Sequence, residues 1–186
     1  KNKGKYRLEE VFSLNGNEEM LIYDSKSHIK EGYEALDSNE VFLEFQKFDC
    51  SKVTLQFIAP TRIKYDGRLT KEIDFEIFVR NLLRRLSWLS EIHCDEKWDM
   101  DWKGIINRSK KRVETVNSDL RWYDWERYSG RQDTKLKMGG FMGEITFEGD
   151  LAEFLPFIKL GEYLHIGKGT VYGLGRYEIT GKLEQG

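Results

Sequence analysis

Cysteine is scarce: the chain has only Cys50 and Cys94, too few and too far apart for a disulfide scaffold, so a reducing interior is the expected setting. Histidine is nearly as rare, with three residues in all. His93 and Cys94 are adjacent rather than at ligand spacing, and no other Cys or His completes a set, so no metal and no cofactor is expected. No stretch is long and apolar enough to span a membrane and no segment reads as a signal peptide. A membrane partner is therefore not expected, and the cytoplasm is the expected location. Charge of one sign is missing too. Thirty Lys and Arg stand against 32 Asp and Glu, a formal net charge of −2 that gives no blanket attraction to polyanions. Proline occurs only twice, so little interrupts regular structure.

Aromatic material is plentiful, with 11 Phe, nine Tyr and five Trp in 186 residues, enough for one sizeable domain or two small ones with a real core. The charge is also unevenly spread. Residues 1–50 carry more Asp and Glu than Lys and Arg, and residues 104–143 reverse that balance, which leaves room for a local basic face. The chain starts at Lys1 rather than Met, in a stretch that reads as a strand already under way, and so is expected to be a fragment or an engineered product.

Tyr6–Leu14 and Met20–Tyr23 predict two short strands around Asn15-Gly16, a strong hairpin signal. Asp24–Glu40 is polar and irregular, and Val41–Phe48 alternates weakly, as a half-buried strand would. "SKVTLQFIAPTRIKYDG" predicts a strand broken at Pro60, at an edge or a bulge. Asp74 can cap a helix over Phe75–Ile92, where Phe75, Phe78, Val79, Leu82, Leu86 and Leu89 recur at helical spacing and Arg80, Arg84 and Arg85 occupy the other face. "DWKGIINRSKKRV" predicts no more than a helical turn. Val113–Tyr128 and Gln132–Glu148 predict an extended antiparallel hairpin turning at Ser129-Gly130. Asp150 offers a second cap before Leu151, Phe154, Leu155, Ile158 and Tyr163, and Pro156 fits only near the first turn. Val171, Gly173, Gly175, Tyr177 and Ile179 then alternate as one face of a last strand. Residues 53–179 thus read strand, helix, strand, strand, helix, strand. That is the α+β, ferredoxin-like βαββαβ order, an antiparallel sheet with both helices on one face.

Gly161, Gly167, Gly169, Gly173 and Gly175 crowd the last connection, with Lys168 between two of them and Arg176 after the last. The spacing fits neither a Walker loop nor a dinucleotide fingerprint: Lys168 is followed by Gly169 instead of a hydroxyl, and the segment follows a helix and precedes a strand. Two readings stay open. Glycines at 167 and 169 allow positive φ and let a polyanion approach backbone N–H groups beside Lys168. Alternatively, Gly167–Gly169 is a helix C-terminal turn, with Gly173 and Gly175 as flat strand positions.

Together with "RYSGRQDTKLKMGGFMGEITFEGDL" upstream, "LGEYLHIGKGTVYGLGRYEI" resembles the C-terminal half of the CRISPR-associated repeat-RNA endoribonucleases of the RAMP superfamily. "FIAPTRIKYDG" and "VRNLLRRLSWL" resemble that family as well, so the likeness covers about residues 51–179. It implies two ferredoxin-like units in tandem, a glycine-rich loop that contacts RNA, and a hairpin that engages the repeat near its cleavage point. On this chain the loop is Gly167, Lys168, Gly169, Gly173 and Gly175, followed by Arg176, and the hairpin is Trp122–Lys137 with Arg127, Arg131, Lys135 and Lys137. Residues 1–50 are then the tail of a first unit and 51–186 a whole RNA-binding unit. CRISPR repeat RNA and other CRISPR-associated proteins are the implied partners.

The resemblance implies metal-independent cleavage by a general base, an acid and a charge-stabilising cation. The family's histidine for this role lies on the first helix of the N-terminal unit, a position without a match in this sequence. His28 reads as a surface residue and His93 as a helix C-terminal residue that gains from the dipole. His165, beside the glycine loop, is left as the catalytic candidate, with phosphate contact or packing as its other roles. Alternation would place Arg131, Lys135 and Lys137 on one hairpin face, near Trp122, Tyr123, Trp125 and Tyr128 on which bases can stack. The other functions compatible with the sequence are a noncatalytic RAMP subunit that binds guide RNA and a ferredoxin-like domain that binds a protein.

Overall fold

The computed structural model describes residues 5, 7–15, 18–26, 29, 37–45, 51–129 and 133–180. The chain forms two compact units, residues 1–37 and 38–186. In the first, β1 (Glu10–Asn15) and β2 (Glu18–Asp24) pair antiparallel with Asn15 opposite Glu18, and residues 16 and 17 between them lie outside the described residues.

The second unit opens with a correction. Val41–Phe48, expected as a strand, is helical as far as it is described, in α1 (Ser38–Phe45), and residues 46–48 lie outside the described residues. Val41 and Phe45 are buried, and the Phe42 ring stands edge-on to Phe157 at 5.1 Å and to Trp98 at 6.4 Å. Three apolar residues at helical spacing, satisfied by tertiary packing, outweigh a weak alternation.

Next come β3 (Lys52–Thr61), a small hairpin of β4 (Ile63–Tyr65) and β5 (Arg68–Thr70), and two helices, α2 (Phe75–His93) and α3 (Trp102–Arg112). After them run β6 (Val113–Tyr123), β7 (Glu126–Ser129), β8 (Thr134–Lys137), β9 (Gly140–Gly149), α4 (Leu155–Leu164) and β10 (Tyr177–Thr180). The main sheet has the order β10-β3-β9-β6, every pair antiparallel. With α2 crossing from β3 to β6 and α4 from β9 to β10, this is the ferredoxin-like topology.

Alternation puts Val53, Leu55 and Phe57 of β3, Ile145 and Phe147 of β9 and Tyr177 of β10 into one core with Phe75, Phe78 and Leu82 of α2 and Leu155 and Ile158 of α4. Phe75 meets Phe147 at 4.9 Å, Phe57 meets Phe141 at 5.1 Å, and Phe78 meets Tyr177 at 5.6 Å, so both helices cover the same face. The buried Tyr177 hydroxyl donates to the Ile158 carbonyl at 2.5 Å. A Cβ on Gly161 would strike that hydroxyl and Leu82, so glycine lets α4 lie close. Asp74 caps α2 as expected, its carboxylate accepting from the Ile77 N–H at 2.7 Å.

Two expectations fail beside these. Residues 102–112 form a full helix rather than a turn: Asp101 caps it by accepting from the Gly104 N–H at 2.9 Å, and Ile105 and Ser109, four apart, bury one face. Asp150 caps nothing. Its carboxylate pairs with Arg112 at 2.9 Å, and α4 begins after Phe154 without a side-chain cap, Pro156 lying in its first turn.

The expected extended hairpin is present, with β6 and β9 at its base and β7 and β8 at its tip. Its turn, residues 130–132, lies outside the described residues. Pro60 marks a bulge on an inner strand, because the β3–β9 register shifts between Phe57 and Thr61. Among the described residues no helix is long and apolar enough to cross a membrane.

Candidate nucleic-acid interface

The bulge at Pro60 aims the end of β3 at the glycine segment. The Ile58 and Ala59 N–H groups donate to the Arg176 carbonyl at 3.1 and 3.3 Å, and the Gly175 N–H donates to the Pro60 carbonyl at 3.2 Å. Gly167, Gly169, Gly173 and Gly175 all adopt φ near +80°, between 78° and 81°. Close approach adds a second requirement at two of them. A Cβ on Gly167 would stand 2.5 Å from the Arg62 carbonyl oxygen and one on Gly175 would overlap that of Ile166, whereas nothing lies within 4 Å at Gly173.

This backbone corrects the expected strand face. Thr170–Tyr172 form a 3₁₀ turn, Gly173–Gly175 a further turn, and pairing starts only at Tyr177, because the left-handed Gly173 and Gly175 cannot join a ladder. Part of the loop's hydrogen bonding is internal. The Lys168 N–H donates to the Arg62 carbonyl and the Ile166 N–H to the Gly175 carbonyl, each at 2.9 Å, and the Tyr172, Gly173 and Leu174 amides donate within the loop. Among the described residues, the N–H groups of Gly167, Gly169, Thr170 and Val171 have no hydrogen-bond acceptor.

Gly167, Lys168, Gly169 and Thr170 form one wall of a groove of about 510 Å³; Lys64 and one face of α2 form the rest. That face is Asn81, Arg84, Arg85 and Trp88, at the three- and four-residue intervals that stack side chains along a helix. Buried Asn81 donates to the Ile77 carbonyl at 2.9 Å and accepts from Arg84 Nη2 at 2.8 Å. Arg85 reaches the Leu164 carbonyl from Nε at 3.4 Å and from Nη2 at 3.3 Å. Partial burial lowers the Arg85 pKa, although a guanidinium keeps its charge in proteins.

Neutral acceptors thus orient these two cations. Among the described residues, Lys64, Arg84, Arg85 and Lys168 form no ion pair. Arg80, one turn earlier on α2, is paired: it bonds Glu76, a near-buried carboxylate that also faces Lys110. The hydrogen bond from Arg80 lowers the Glu76 pKa against the opposing effect of burial. Four cations without a counter-charge among the described residues, beside open backbone donors, make a site for an anion.

His165 stands at the entrance to the loop with φ 59° and ψ 166°, a region that glycine favours and that costs other residues about 1–3 kcal/mol. Burial lowers its pKa, a bond to the Leu174 backbone opposes that, and the charges of Arg176 and Arg85 add to the lowering. The unfolded imidazole takes up a proton near pH 6.5. The folded one does so only at lower pH, so the stability it contributes is complete above about pH 6.5 and is lost as the pH falls. Urea unfolding at pH 7.5 and pH 5.5 should show this decline, and His165→Gln should reduce it. An equal decline in the variant would assign the pH dependence to other groups.

The hairpin comes to the loop at one point: the Arg127 guanidinium lies over the Tyr172 ring, 4.4 Å from its centroid. Cross-strand pairing sets Arg127 opposite Leu136, and Lys135 and Lys137 opposite Tyr128 and Glu126 on the other face. Lys135 pairs with Glu126 at 3.2 Å, and Arg176 with Glu178 at 3.0 Å. The Lys137 carbonyl accepts from Arg62 Nη1 at 2.6 Å. Arg131 and His28 lie outside the described residues, and His93 is exposed at the end of α2. Lys64 and Trp88 gave no sequence signal of their own. The three- and four-residue spacing from Asn81 to Trp88 was present, but only folding sets it against the loop.

Sheet order and helix placement define a ferredoxin-like domain. The chain belongs to the CRISPR-associated endoribonuclease Cas6 family, whose model matches residues 55–177. Among solved structures, Thermus thermophilus Cas6 (TTHB231) is similar with a TM-score of 0.59 and 17% identity over 75% of this chain and 57% of that one. A Cas6 (TTHB231) product complex gives 0.60 and 18% over 78% and 56%. A partial Cas6-RT-Cas1–Cas2 complex gives 0.58 and 13% over 87% and 30%. At these identities the likeness is one of fold. The chain spans a little over half the length of the Thermus Cas6 chain, and no curated protein matches it.

Proposed function

We propose that this chain binds and orients RNA for a metal-independent CRISPR repeat endoribonuclease, which processes precursor CRISPR RNA into guide RNAs in the cytoplasm. The groove, whose cations have no counter-charge and whose open loop amides have no acceptor among the described residues, is the observation that supports this most directly. Family membership supports RNA as the ligand class, and the product complex and the Cas6-RT-Cas1–Cas2 complex of relatives support repeat RNA and other CRISPR-associated proteins as partners.

In this reading Lys64, Arg84 and Lys168 neutralise phosphates, and Gly167, Gly169, Gly173 and Gly175 hold the loop in shape for their approach. Arg176 and the hairpin residues Arg127, Arg131, Lys135 and Lys137 extend the contact surface. Residues 1–50 are the end of a preceding ferredoxin-like unit, which supplies the general base. Cleavage runs by attack of a ribose 2′-oxygen on the adjacent phosphorus as the base takes its proton. The 5′-oxygen leaves with a proton from the acid, and a 2′,3′-cyclic phosphate remains. His165, whose pKa burial lowers, is the candidate proton carrier within this chain.

The test uses the longer protein that includes the preceding unit, with repeat RNA in EDTA. Cleavage that leaves a 2′,3′-cyclic phosphate is expected, with RNA binding but no cleavage by residues 1–186 alone. Binding without cleavage by the longer protein would favour a noncatalytic guide-RNA subunit, and no RNA binding by either would overturn the proposal.

A further inference from the structure

The chain's five tryptophans are all among the described residues, and four of them are packed or bonded. Trp98 and Trp102 stack at 6.1 Å with an interplanar angle of 9°, and Trp98 also packs on Phe42 and Phe157. Trp122 donates from Nε1 to Asp124 at 2.7 Å and carries Lys71 over its ring. The Trp125 Nε1 is buried at the neck of the hairpin. Trp88 differs from all four: it is 64% exposed and lines the groove, and among the described residues its ring has no aromatic or cationic partner.

Its position on α2 is what gives this consequence. Trp88 follows Arg84 by four residues on the same helix face, so its ring lies one turn along from a guanidinium that Asn81 holds in place. The unbonded amides of Gly167 and Gly169 and the Lys168 side chain are across the groove. Phosphate donors on one side and an open π-face on the other are the two parts of a site for a single-stranded nucleotide. A duplex presents phosphates but keeps its bases stacked within the helix, and would leave an aromatic platform in the groove unused.

Resting on the RNA-binding role proposed above, we infer that the groove between α2 and the glycine loop holds one unpaired nucleotide, its base stacked on Trp88 and its phosphate facing Lys168 and Arg84. Stacking on an aromatic ring tolerates any base, so the subsite selects for single-strandedness and not for sequence.

Trp88→Ala and Trp88→Phe are compared with Lys168→Ala for binding to a single-stranded adenosine oligomer and to an RNA duplex, across a salt series. Trp88→Ala should weaken single-strand binding about tenfold and Trp88→Phe much less, with an unchanged salt slope and unchanged duplex binding. An abasic nucleotide moved along the oligomer should erase the difference between wild type and Trp88→Ala at one position. Because the ring is exposed, unchanged thermal melting is expected to show that neither Trp88 variant is misfolded. If Trp88→Ala binds as wild type does while Lys168→Ala flattens the slope, the stacked nucleotide is overturned and the RNA-binding role stands. If neither variant changes binding, both fall.

Discussion

Replacing Lys64, Arg84 and Lys168 together by alanine is expected to reduce single-stranded RNA affinity about a thousandfold and to flatten the log–log salt dependence by about 2. The slope follows from about 0.7 per phosphate contact on a single strand, taken three times. The affinity follows from roughly tenfold per charge-assisted contact, near the lower end of what hydrogen bonds to charged groups contribute. None of the three residues is in an ion pair among the described residues, so their loss breaks no salt bridge. The Arg84 bond to Asn81 is the one polar contact removed, and the relief of like-charge repulsion offsets part of it. The melting temperature should therefore stay within a few degrees of wild type. Arg85 is left in place because it also bonds the Leu164 carbonyl at the end of α4. A salt slope equal to that of wild type would remove the groove from the interface.

Gly175→Ala is expected to cost about 3 kcal/mol or more and to abolish RNA binding, whereas Gly173→Ala should cost only about 1 kcal/mol. Both residues have φ of 78°, so the penalty for a left-handed alanine is common to the pair. Surroundings make the difference. The alanine methyl at 175 would overlap the carbonyl oxygen of buried Ile166, a residue whose N–H donates to the Gly175 carbonyl. At 173 the methyl meets nothing within 4 Å. To make room at 175 the loop must break its bonds to Ile166 and to Pro60, and with them the junction between the β3 bulge and the groove wall. Urea unfolding of the two variants measures the contrast. Equal costs would mean that the loop adapts and that close approach is not what demands glycine at 175.

Much of the scaffold was legible because its signals are local. Asp74 followed by apolar residues at helical spacing fixes where α2 starts and which side it buries, and Asn15-Gly16 fixes a hairpin. The errors fell where tertiary contacts outweigh local pattern. Val41 to Phe45 is too short for its alternation to be told from helical spacing until Phe42 meets Phe157 and Trp98. Residues 171–175 alternate on paper, but a glycine can serve a flat strand or a left-handed turn equally well, and the choice was made by the Pro60 and Ile166 backbones that the loop packs against.

By itself the sequence determined the element order, the apolar faces that make the βαββαβ core, and the presence of a bare, cation-flanked backbone near its end. Only the tertiary structure decided what that backbone faces. Lys64, Arg84, Trp88 and Lys168 span more than a hundred positions of the chain, and a groove is a relation among distant residues that no local spacing encodes. The β3 bulge and the α2 face bring them to one wall or the other, and the close-packed core beneath holds both elements in place.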